Sequence, residues 1–68
     1  MKGIEAQKKV RIGAIIKTEN GCLYRRTPGT VGGQPAWVRI DIRNDRVRAQ
    51  GRRTGLVAEC QFEMVTAY

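Results

Sequence analysis

The sequence predicts an all-β protein: a small, five-stranded, strongly bent antiparallel sheet closing towards an SH3-like barrel. Three observations predict it. Apolar and polar residues alternate with period two over most of the chain, the pattern of half-buried strands. The alternating runs end at Asn20-Gly21 and Asn44-Asp45, residues that tolerate the positive φ of tight hairpin turns. At 68 residues the chain has room for one domain, spanning 1–68, and hairpin-joined strands with glycine at the bends curl at this size. An OB-like barrel is the alternative closure, and a β-sheet with a C-terminal helix at 56–65 is the alternative composition.

Each element follows from its residues. Residues 1–7 carry no regular pattern and read as a flexible N-terminus. From Lys8 to Thr18, Val10, Ile12, Ala14 and Ile16 alternate with Lys9, Arg11 and Lys17, which predicts a long first strand. Cys22 to Thr27 returns as the second. A strict two-residue turn at Asn20-Gly21 would set Arg25 on the face of Ile16, a register that a bulge would correct. Residues 28–36 contain Pro28, Pro35 and three glycines, which predicts a loop.

Trp37 to Arg43 and Arg46 to Gln50 alternate on both sides of Asn44-Asp45, which predicts a two-stranded ribbon in a defined register. Ile42 falls opposite Val47, Ile40 opposite Ala49, Asp41 opposite Arg48, Arg39 opposite Gln50 and Arg43 opposite Arg46. One ribbon face is then apolar; the other presents Trp37, Arg39, Asp41, Arg43, Arg46, Arg48, Gln50 and Arg52. Gly51 to Gly55 is a basic connection through Arg52 and Arg53. Leu56 to Val65 alternates again and reads as the last strand, although its Ala, Glu, Gln and Met content also suits a helix.

Composition removes most catalytic chemistry. The chain has no histidine and no serine, so there is no Ser-His-Asp triad, no Cys-His pair and no imidazole metal ligand. Cys22 and Cys60 form no CxxC and read as small apolar residues. On a strand, Glu59 and Glu63 would stand about 13 Å apart, beyond the roughly 5 to 9.5 Å of a glycosidase pair. The glycines at 29, 32 and 33 lack the Gly-Lys-Ser/Thr ending of a phosphate-binding loop. A non-enzymatic protein without cofactor or metal is the expectation.

Charge points instead to binding. The net charge is +7, which favours a polyanionic partner. Residues 1–38 carry +5 (seven cations, two carboxylates), residues 39–53 carry +4 (six and two) and residues 54–68 carry −2 (two carboxylates). Six of nine arginines lie between Arg39 and Arg53, and a guanidinium matches phosphate oxygens with a planar fork of donors. The Arg43/Arg46 pairing beside the turn is like-charged and costs stability unless an anion or solvent screens it. The candidate nucleic-acid-binding residues are therefore Trp37, Arg39, Arg43, Arg46, Arg48, Arg52, Arg53, Arg25 and Arg26, assisted by Lys8, Lys9 and Arg11.

Aromatic residues are few, namely Tyr24, Trp37, Phe62 and Tyr68, so a base-stacking platform is not expected. The expected function is phosphate-dominated, weakly sequence-selective binding of DNA or RNA. The alternative is a small interaction or inhibitor module whose basic face docks on an acidic or nucleic-acid-binding surface of a larger protein. No apolar run is long enough to span a bilayer and the N-terminus lacks a secretion signal, so a cytoplasmic, membrane-free protein is expected. The small core makes homo-oligomerisation through an open sheet edge a further expectation.

Overall fold

The alternating runs around Asn44 form two long strands, β3 (Gln34–Arg43) and β4 (Arg46–Thr54), in a computed structural model that describes residues 2–44 and 46–65. The predicted register is realised at every pair: Ile42↔Val47, Ile40↔Ala49, Asp41↔Arg48, Arg39↔Gln50 and Arg43↔Arg46. Asn44 takes φ 52, the left-handed conformation that a tight hairpin turn demands of its first central residue; its neighbour Asp45 lies outside the described residues. β4 runs past its expected end to Thr54, and its register against β3 shifts between Val38↔Arg53 and Arg39↔Gln50. Gly51, with φ 77, accommodates that irregularity.

The segment expected to be a loop at 28–36 is mostly strand. β2 (Leu23–Val31) continues through Pro28 and Gly29, and β3 begins at Gln34, so Gly32-Gly33 is a two-residue turn. The shift between Arg26 and Thr30 interrupts the ladder at Pro28, whose nitrogen carries no hydrogen to donate. Proline and glycine here mark an irregular strand rather than its absence.

β1 is only Ile15–Thr18, and the expected strand start at Lys8 is replaced by helix α1 (Ile4–Lys9), which also takes the place of the flexible N-terminus. Ala6, Glu5, Gln7 and the two lysines are good helix formers, with Glu5 in the first turn and Lys8 and Lys9 in the last, the arrangement the helix dipole favours. Ala6 and Val10 are four apart and both meet the core, while Ile12 is 65% exposed. The loop Glu19-Asn20-Gly21 is one residue longer than a two-residue turn, with Gly21 at φ 85. The extra residue pairs Ile16 with Tyr24 and Ile15 with Arg25, which corrects the register conflict visible in the sequence.

The last strand, β5, is Phe62–Val65; residues 56–61 precede it without helix or strand. The sheet order is β4-β3-β2-β1-β5 with every neighbouring pair antiparallel. The sheet is open, with β4 and β5 as its two edges. Among the described residues no helix is long and apolar enough to cross a membrane.

Directly opposed residues share a face, so the registers define two. One carries Ile16, Phe62, Met64, Tyr24, Arg26, Trp37, Arg39, Asp41, Arg43, Arg46 and Arg48; the other carries Ile15, Lys17, Glu63, Val65, Leu23, Arg25, Val38, Ile40, Ala49, Val47 and Arg53. The main core, Val10, Ile16, Trp37, Leu56 and Phe62, lies on the first face, under α1 and the segment before β5. Gln7 locks that layer in place. It is fully buried, accepts from Trp37 Nε1 through Oε1 at 3.2 Å and donates from Nε2 to Val57 O at 3.0 Å, so helix, sheet and connecting segment share one hydrogen-bonded bracket. Trp37 and Phe62 meet at 6.4 Å between ring centroids.

Candidate nucleic-acid interface

The first face changes character along β3. At Trp37 it is covered and dry; from Arg39 onward it is open to solvent. Arg39, Arg43, Arg46 and Arg48 are all exposed and project from the same side of two paired strands. Among the described carboxylates none forms an ion pair with Arg39, Arg46, Arg48 or Arg52. Backbone pairing fixes where these side chains leave the sheet, while the exposed arginines keep most of their rotamer freedom.

Asp41 tempers the patch without removing it. It bonds Arg43 on its own strand, Arg43 Nε donating to Asp41 Oδ2 at 2.8 Å, although Arg48 stands directly opposite on β4. The Arg43 side chain is 84% exposed, and a pair of this kind contributes only about 0–1 kcal/mol. One of five guanidinium hydrogens is used, which leaves the two terminal amino groups of Arg43 to face an outside acceptor. Asp41, Arg43, Asn44, Arg46, Val47 and Arg48 line a concavity of about 470 Å³ at the ribbon's tip.

Four of the other residues in the sequence-derived set lie elsewhere. Trp37 is a correction: it is 0% exposed at the centre of the core and cannot stack on a base. Arg26 is half-buried against it, with its guanidinium carbon 5.7 Å from the Trp37 ring centroid and Nη1 donating to Ala36 O at 3.1 Å and to Thr27 O. Arg25 is half-buried on the opposite face, between Ile15 and Val38. Arg53 also belongs to that face, and its Nη1 donates to Pro28 O at 3.0 Å, tying β4 to the irregular part of β2. Arg52 is exposed beside Gly51. Lys8 pairs with Glu5 at 3.8 Å on the exposed side of α1, away from the ribbon strands in sequence.

Protein-family models, curated proteins and solved structures were compared with the chain, and none matches it.

Cys22 and Cys60 are both free. Burial, helped by the nearby Glu19 carboxylate, pushes the Cys60 thiol above its ordinary value and away from the thiolate a nucleophile needs. Sequence reasoning missed two roles: Asp41, placed opposite Arg48, pairs with Arg43, and Gln7 holds Trp37 inside the core. Asp41 was legible, since residues two apart on a strand share a face. Gln7 was not, because only the position of α1 gives it a buried partner.

Proposed function

We propose that this protein binds nucleic acid through the phosphate backbone, using Arg39, Arg43, Arg46 and Arg48 as a set of guanidinium groups spaced by two paired strands, with little selectivity for base sequence. The observation that carries the reading is the Arg43↔Arg46 pair at the ribbon tip. Two like charges held opposite one another oppose the hairpin, and an anion bridging them converts that opposition into attraction. Exposure of Arg39 and Arg48 on the same face extends the cationic stripe along the ribbon. Burial of Trp37 removes the stacking contribution, so contact with phosphate supplies most of the affinity. The finer fold assignment that goes with this reading is an SH3-like curl, left open between β4 and β5.

A second reading is favoured by the same exposed charge: docking of the basic face on an acidic protein surface. Gel shifts with duplex DNA, single-stranded DNA and structured RNA test the first reading. Binding is expected to one or more of them, and an Arg43→Glu/Arg46→Glu variant that folds normally is expected to lose it. Equal binding by that variant removes the reading. Capture of a protein that survives nuclease treatment of the lysate, with no shift of any nucleic acid, favours the second.

A further inference from the structure

We infer that the sheet is extended head to tail by a second copy of this chain, β4 of one molecule pairing with β5 of the next. β4 and β5 are the edge strands of the described sheet, and such edges template strand addition. Their side chains are opposite in sign. β4 carries Arg46, Arg48, Arg52 and Arg53 and no carboxylate, whereas residues 59–65 carry Glu59 and Glu63 and no cation. Both Glu59 and Glu63 are exposed, and the cross-strand neighbour of Glu63, Lys17, forms no ion pair with it.

The faces match as well as the charges. Glu63 and Val65 lie on the face of Ile15 and Lys17, and the registers carry that face across the sheet to Arg53, Ala49 and Val47 at the other edge. Continuing the sheet with its faces kept sets β5 parallel to β4 and puts Glu63 on the side of Arg53. Arg46 and Arg48 project from the other face and are not consumed. Many extended segments could satisfy an open backbone edge; a second copy is the fitting partner because one chain carries both the basic edge and the acidic one. The contact is heterologous, so copies close into a ring where the rotation per copy allows and form a filament where it does not. Either arrangement sets the Arg39–Arg48 stripes of successive copies side by side.

Sedimentation velocity of the nuclease-treated full chain, over a wide concentration range, tests the inference independently of nucleic-acid binding. A species at a multiple of 7.6 kDa that grows with concentration is expected. Glu63→Lys and Arg53→Glu should each weaken association by at least about tenfold, and the two together should restore it. Arg46→Ala/Arg48→Ala should associate as the parent does. Circular dichroism checks the fold of each, and Glu63→Gln and Arg53→Gln replace any charge-reversal variant that fails to fold. A parent that is monomeric throughout, folded single variants that associate like the parent, or a folded double variant that stays dissociated would each overturn it.

Discussion

Arg26 and Arg48 show how burial assigns different work to one side-chain type. Arg26 lies over the Trp37 ring and donates to Ala36 O, so its charge is spent inside the molecule, whereas Arg48 is exposed on the ribbon. Truncating the first removes a hydrogen bond from a charged donor and a cation–π contact; truncating the second removes neither. Arg26→Ala is expected to lower the unfolding free energy by about 1–3 kcal/mol, and Arg48→Ala to stay within about 0.5 kcal/mol of the parent. Urea denaturation of the two variants measures both, and equal losses would contradict the division of roles. Nucleic-acid affinity should move the other way, falling for Arg48→Ala.

At the scale of elements, the β3–β4 ribbon was legible in the sequence and the N-terminal helix was not. Period-two alternation fixes which residues share a face, and every cross-strand pair predicted around Asn44 is present. It does not say where a covering layer ends. Trp37 and Arg39 do share a face, but α1 and residues 56–61 cover it at Trp37 and leave it bare at Arg39, so parity alone assigned Trp37 to the surface. The helix escaped because Lys8 to Ile16 alternates as a strand would, while burial of Gln7 and Val10 against the core decides otherwise. Proline and glycine between 28 and 35 signalled a break where the chain makes an irregular strand and a tight turn. Gly51 tests the ribbon's irregularity: a Cβ there meets nothing within 4 Å, so only its φ of 77 opposes substitution. Gly51→Ala should cost about 1 kcal/mol, seen as a fall in Tm of about 4–8 °C for a chain of this size. No change in Tm would mean that the backbone relaxes out of that conformation.

For the whole molecule, size and charge act together. β3, ten residues at about 3.3 Å each, is comparable in length to the 33 Å long dimension of the protein, and the ribbon carries arginines from its middle to its tip. A net charge of +7 on a body this small gives a long-range pull on any polyanion, and the ribbon gives that pull a fixed surface. The dependence of nucleic-acid affinity on salt, compared between the parent and Arg46→Ala/Arg48→Ala, reads this directly. The parent's log K should fall linearly with log salt, and loss of two phosphate contacts should make the slope shallower by about 1.8 on duplex DNA. Identical slopes and affinities for the two proteins would contradict the account.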